Sequence, residues 1–170
     1  RLFMAPPIVL LLTFSSPATD LAAAIVFGAA SLSDWLDGYL ARIKREVTSL
    51  GKLLDPVADK LLVAASLIPL VSLDRAKGWI VAVIIGREIL VTGLRGVGAA
   101  QGFIIQAEEL GKLKMVFQVG AILFLMLNWN VYGVSFHLMG TVVLWAVMVL
   151  SAVSGLQYFI KFRDKIDPNI

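Results

Sequence analysis

Residues 33–60 read SDWLDGYLARIKREVTSLGKLLDPVADK, and they set four aspartates, Asp34, Asp37, Asp55 and Asp59, between the apolar runs LAAAIVFGAASL (21–32) and LLVAASLIPLV (61–71). Asp34 and Asp37 are three residues apart near the end of one expected helix, and Asp55 and Asp59 are four apart near the start of the next. At helical spacing each pair lies on one face. The charged connection IKREVTS (43–49) is short, so the two helices are expected to be antiparallel neighbours whose carboxylates face each other across one cleft.

The rest of the chain explains why that arrangement is costly. Hydrophobic residues make up 59% of the 170 positions and charged residues 16%. With a mean hydropathy of +0.87, this exceeds what a soluble core needs and matches a polytopic membrane protein. A net charge of +3 could point to nucleic acid, but the basic residues sit at the ends of apolar segments rather than along one stripe. No nucleic-acid partner is expected. The absence of cysteine excludes disulfides, thiolate catalysis and thiolate metal sites, and leaves any metal chemistry to carboxylates.

An all-α fold of six transmembrane helices in a single domain, 1–170, follows from the punctuation. The expected helices run from about 2 to 14, 20 to 42, 50 to 71, 79 to 100, 110 to 127 and 134 to 162. They are separated by SSPATD (15–20), IKREVTS, SLDRAKG (72–78), QGFIIQAEE (101–109) and NWNVYG (128–133). In the first connection Asp20 is read as the cap of helix two. Pro56 either begins the regular ladder of helix three or kinks it. Glu108 and Glu109 are read as favourable charges at the start of helix five. The opening run, Leu2 to Phe14, is shorter than the roughly 20 residues of a crossing, so an N-terminal piece is expected to be missing. With Arg1 cytoplasmic, six crossings place Arg42, Lys44, Arg45, Lys112, Lys114, Lys161, Arg163 and Lys165 on that same side. Only Arg75 and Lys77 fall in an opposite loop. This bias puts the aspartates at the cytoplasmic face of the cell membrane.

Four converging carboxylates in a low-dielectric setting repel one another unless something positive lies between them. Oxygen-only ligands favour a hard divalent cation, Mg²⁺ or Mn²⁺ before Ca²⁺, and the four aspartates suffice to bridge two ions. The bland alternative, interfacial residues snorkelling at helix ends, accounts for one aspartate more easily than for four at helical spacing. Gly38, Ala41 and Gly51 let backbone or substrate approach closely, and the Arg42 guanidinium beside such a site suits a phosphate oxygen.

Asp34-x-x-Asp37-Gly38-x-x-Ala41-Arg42, eight residues, then Gly51-x-x-x-Asp55-x-x-x-Asp59 resembles, at every defined position, the signature of the CDP-alcohol phosphotransferases. The six-helix layout extends the resemblance over essentially the whole chain. It implies transfer of a phosphatidyl or related group from a CDP-linked donor to an alcohol, with release of CMP. It further implies that Asp34, Asp37, Asp55 and Asp59 hold two divalent ions and that Asp59 is the base for the acceptor hydroxyl. Asp34, Gly38, Ala41, Arg42 and Gly51 would line the CDP site, and a homodimer would be the assembly. The Asn-Pro and Thr residues that the family carries upstream of Arg1 do not occur here.

The acceptor is to be read from helices four and five. GREILVTGLRG (86–96) sets Arg87 and Glu88 in mid-helix with Arg95 about two turns further on, and ELGKLKMVFQ (109–118) adds Lys112 and Lys114. A mid-helix cation is expensive in lipid, so Arg87 is expected to face the bundle interior, with Glu88 or another carboxylate as its partner. Arg95, Lys112 and Lys114 taken singly read as topological anchors. Together these segments resemble the phosphatidylglycerophosphate synthase branch of the family, although Met115 stands where that branch carries Thr. The resemblance implies CDP-diacylglycerol as donor and sn-glycerol 3-phosphate as acceptor, its phosphate held by some of Arg87, Arg95 and Lys112. A sister enzyme using inositol phosphate or serine is the alternative within the family. A divalent-cation transporter or a membrane scaffold are the alternatives outside it. His137, Trp79, Trp129, Tyr132 and Trp145 read as packing or interfacial residues in contact with membrane lipids.

Overall fold

The computed structural model describes residues 2–44, 49–102, 109–131 and 133–166, with the side chains at positions 2, 34–44, 49–56, 109–112 and 166 outside that description. After a short 3-10 turn, Leu2–Met4, the described chain forms helices α1 (Ala5–Phe14), α2 (Pro17–Lys44), α3 (Ser49–Ser72), α4 (Gly78–Ala100), α5 (Glu109–Leu127) and α6 (Phe136–Ile166). A small hairpin of β1 (Asn130–Val131) and β2 (Val134–Ser135) precedes α6. The expected all-α class therefore holds. Helix six starts after the hairpin rather than at 134, because Asn130 pairs with Ser135 and Val131 with Val134. Pro56 lies inside α3 rather than at its start.

Local chemistry sets the helix ends. Prolines at the first turn of α1 lose no hydrogen bond, because those N–H groups have no intrahelical acceptor. Ser15 closes α1 in a left-handed conformation (φ 39°), its N–H donating to Leu12 O at 3.2 Å. The start of α2 corrects the expected cap. Ser16, not Asp20, caps it: Thr19 N–H donates to Ser16 Oγ at 3.2 Å, while Ser16 N–H donates to Thr19 Oγ1 at 2.9 Å. This reciprocal pair is a capping box with Thr in the third helical position, and it frees Asp20 for another task. At the other end of α5, Asn128 adopts φ 46°, a left-handed conformation that Asn tolerates, and turns the chain toward the hairpin.

The helices pack as a closed ring. α1 lies against α2 and α3, α2 against α5, α5 against α6, α6 against α4, and α4 against α3. Among the described residues α2 and α3 share no extensive contact, and α1 packs against both. Ile8, Leu12, Phe27, Leu67, Leu70, Ile80, Ile84, Ile122, Leu125, Met126, Leu144 and Val147 fill the centre, each essentially fully buried. Helix backbones approach most closely where a small residue lines the contact. Gly140 shows this, since a Cβ there would come within 2.8 Å of Leu125 Cγ and 3.1 Å of Leu125 N. Only Gly fits between α6 and the α5 backbone.

Among the described residues, Phe136–Lys165 is the helix long and apolar enough to cross a membrane by length and composition. Ala5–Phe14, Pro17–Ser33 and Leu113–Leu127 are shorter apolar pieces. The central halves of α3 and α4 carry Asp55, Asp59, Lys60, Arg87 and Glu88, which lowers their mean hydropathy.

One end of the bundle is closed by Arg75, in the loop between α3 and α4. Its guanidinium donates to Asp20 Oδ2 at 2.7 Å, to Ser15 Oγ at 3.2 Å and to Met126 O at 2.9 Å. The α1–α2 corner, the α3–α4 loop and the C-terminal turn of α5 are thereby joined through one side chain. Arg75 was expected only as a loop cation; its burial is decided by Asp20, which reaches it across 55 positions. Arg75→Met should leave the Asp20 carboxylate buried and unpaired and cost about 3–5 kcal/mol. Unfolding in detergent would show it, and Arg75→Met with Asp20→Asn should recover part of the loss.

Candidate active site

Helix geometry predicts where the polar groups collect. At about 1.5 Å per residue, Asp59 lies about 20 Å along α3 from its far end at Ser72, Glu88 about 15 Å along α4 from Gly78, and Lys114 about 20 Å along α5 from Leu127. The ring brings these levels together: ion pairs link α3, α4 and α5, and a hydrogen bond extends the network to α6.

Glu88 is its centre. Oε1 pairs with Arg87 Nη1 at 3.3 Å and with Lys114 Nζ, while Oε2 faces Lys60 Nζ at 3.6 Å. Lys60 Nζ also donates to Asp59 Oδ2 at 3.3 Å. Arg87 Nη2 donates to Ser154 Oγ on α6 at 2.9 Å, and that hydroxyl in turn donates to Leu150 O at 2.6 Å. Room for the Arg87 stem comes from Gly155, where a Cβ would stand 2.8 Å from Arg87 Cγ. Two turns along α4, Arg95 lies over the Tyr158 ring at 5.5 Å, a cation–π contact with the same face of α6.

Three cations, Lys60, Arg87 and Lys114, thus stand against two carboxylates, Asp59 and Glu88. Arg87 Nε is buried without a hydrogen-bond partner, as are Ser151 Oγ and Gln157 Oε1 on α6. The arrangement can bind an anion: it has a surplus of positive charge and an unmet N–H donor in an interior where little water competes. Asp59, with 30% of its side chain exposed, is open enough to accept a proton or a cation.

Arg87 faces the interior and pairs with Glu88, as the sequence led us to expect. Lys114 does not behave as an anchor. It is 3% exposed, because the Glu88 carboxylate meets it inside the bundle. Arg95 is exposed on α4 and held by Tyr158. The side chains of Asp34, Asp37, Gly38, Ala41, Arg42, Gly51, Asp55 and Lys112 lie outside the described residues, but the backbone carrying the first five is helical within α2, that carrying Gly51 and Asp55 within α3, and that carrying Lys112 within α5. Among the described residues no group of three or more His, Asp or Glu side chains could hold a metal ion. Lys60, Ser154, Gly155 and Tyr158 were not anticipated. The last three share a 3- to 4-residue stripe with Ser151 on α6, a periodicity that marks an interior polar face.

The family model for CDP-alcohol phosphatidyltransferase matches residues 1–153. The chain belongs to the CDP-alcohol phosphatidyltransferase family. It is also similar to several proteins named "CDP-diacylglycerol--glycerol-3-phosphate 3-phosphatidyltransferase". One from Bacillus subtilis is 46% identical over 147 residues, 86% of this chain and 76% of that protein. One from Rickettsia typhi is 35% identical over 160 residues, covering 94% and 90%. One from Shigella flexneri is 33% identical over 173 residues, covering 98% and 93%. In this member of the CDP-alcohol phosphatidyltransferases the network around Glu88 lies beside the last aspartate of the signature, Asp59.

Gly155→Ala should push Arg87 off Ser154 without unfolding the bundle, since only a side chain must shift. In this family member we expect at least about tenfold lower transferase turnover with an unfolding midpoint close to that of the parent. Parallel turnover and detergent-melting measurements would check it.

Proposed function

We propose that this protein transfers a phosphatidyl group from CDP-diacylglycerol to sn-glycerol 3-phosphate, giving phosphatidylglycerophosphate and CMP. The observation that carries the reading is the cation surplus around Arg87 and Lys114, set next to Asp59. With Arg95 included, four cations stand against two carboxylates, and a phosphate monoester of about −2 balances them. A neutral acceptor such as serine's hydroxyl end would leave that surplus unmet. The names of the relatives point the same way. A transport path is less favoured, because the cations of α4 and α5 interrupt any anionic route.

In this reading Asp34, Asp37, Asp55 and Asp59 hold two Mg²⁺ or Mn²⁺ ions. An all-carboxylate donor set suits hard cations, and Asp59 keeps an accessible side chain. When bound, the ions supply charge neutralisation of the pyrophosphate and of the departing CMP. The remaining work falls to the chain itself. Gly38, Ala41, Arg42 and Gly51 on α2 and α3 line the nucleotide site. Arg87 and Lys114, with Arg95 and Lys112, seat the acceptor's phosphate and aim its hydroxyl at the phosphatidyl phosphorus. Asp59 takes the hydroxyl proton as the new P–O bond forms, and the bond to CMP breaks in line, CMP leaving with the electron pair. We further infer that all six helices reside in the cell membrane, with the aspartates at its cytoplasmic face and a homodimer as the assembly. The ion pairs around Glu88 would supply the compensation that lets α3 and α4 carry charges there.

An acceptor screen with labelled CDP-diacylglycerol tests the reaction. CMP release should require divalent metal and glycerol 3-phosphate together, and should stop when metal is chelated. Turnover with inositol phosphate or serine but none with glycerol 3-phosphate would reassign the acceptor; metal flux into liposomes without CMP release would overturn the enzyme reading. Asp59→Asn should lower turnover by at least about a hundredfold while retaining nucleotide binding.

A further inference from the structure

Among the described residues Glu88 is the carboxylate shared by the cations of three helices, yet the transfer chemistry gives it no direct role. Its side chain is 15% exposed and rooted on α4. One oxygen holds Arg87 and Lys114; the other faces Lys60, which reaches on to the carboxylate of Asp59. The residue assigned as base and the cations assigned to the acceptor phosphate are therefore connected through Glu88.

We propose that Glu88 is a positioning residue for the transfer reaction, converging Lys60, Arg87 and Lys114 on one point and, through Lys60, fixing the orientation of Asp59. The proposal rests on the reading above that these cations serve an anionic acceptor. Three cations drawn from α3, α4 and α5 repel one another, and Lys60 and Lys114 have long, flexible stems that would separate if nothing held them. Lys114 is too deeply buried to reach water without leaving its place. A carboxylate at the centre turns mutual repulsion into common attraction and fixes the geometry before the acceptor arrives. Arg87 is held from the opposite side by Ser154 and by the slot at Gly155, so Glu88 supplies the restraint that α6 does not. The second carboxylate in the network, Asp59, does not replace it, because of the three cations it is in ion-pair contact with Lys60, 3.3 Å away, whereas Glu88 meets all three.

The test is steady-state kinetics of the full-length, metal-loaded enzyme in mixed micelles, comparing the parent with Glu88→Gln and Glu88→Asp. The Gln variant keeps the shape and removes the charge. It should raise the glycerol 3-phosphate KM about tenfold or more and lower kcat, with the CDP-diacylglycerol KM changed by less than about twofold. Glu88→Asp, which keeps the charge, should recover part of both losses. Unchanged kinetics per folded molecule would overturn the proposal. So would a lower acceptor KM, which would mean that the carboxylate competes with the phosphate for the same cations. A similar loss for both substrates with a lower melting temperature, not relieved by Asp, would make Glu88 structural and overturn it equally. The parent separates this from the acceptor assignment: if the parent uses another alcohol, the acceptor reading fails, and the Glu88 comparison is made with that alcohol.

Discussion

A charge inside an apolar helical bundle must be compensated within a few ångströms, and among the described residues this happens in two places around which the helices are organised. At one end Arg75 pairs with Asp20 and gathers the α1–α2 corner and the last turn of α5. About 15–20 Å along the helices, Glu88 gathers Lys60, Arg87 and Lys114. Between them the buried core cluster is made of Leu, Ile, Val, Phe, Ala and Met126. Ion pairs of this kind are weak evidence for stability, since desolvation offsets much of the attraction. Their strength is directional: each carboxylate can satisfy its cations only when particular helices lie side by side. Such pairing fixes register where apolar packing alone would allow sliding.

The two layers differ in what they leave open. The Arg75 layer is neutral, with its guanidinium shared among a carboxylate, a hydroxyl and a carbonyl, and Asp20 Oδ1 is its one buried atom without a partner among the described residues. The Glu88 layer retains more positive than negative charge and an unsatisfied guanidinium N–H. The surplus of positive charge distinguishes the second layer from the first. In the proposed reaction, chemistry at the signature aspartates and choice of alcohol at the α4–α6 cations are distinct tasks joined at Asp59 and Lys60.

Much of the fold was legible because hydropathy and breakers are local. The helix ends read from SSPATD, IKREVTS and SLDRAKG agree with the observed helices to within a few residues. The exceptions have local causes of a finer kind. Ser16 and Thr19 made a better cap than Asp20, and NVYGVS had just enough alternation to close a hairpin before α6. The mid-helix position of Arg87 announced an interior role, since a cation at that depth needs a partner.

Other residues were misjudged because their partners are remote in sequence. Lys114 has the same local context as an anchoring lysine near a helix end, and only Glu88, 26 positions away, makes it an interior residue. Asp20 and Arg75 each look like ordinary helix-end charges until α2 and the α3–α4 loop are seen to meet. The sequence by itself determined the all-helical class, the family and the aspartate spacing, because these follow from periodicity and from fixed identities along one strand of chain. The tertiary structure alone decided which cations converge, which carboxylate they share and that Gly155 opens the slot for Arg87, because electrostatic pairing depends on distances between helices that no local pattern encodes.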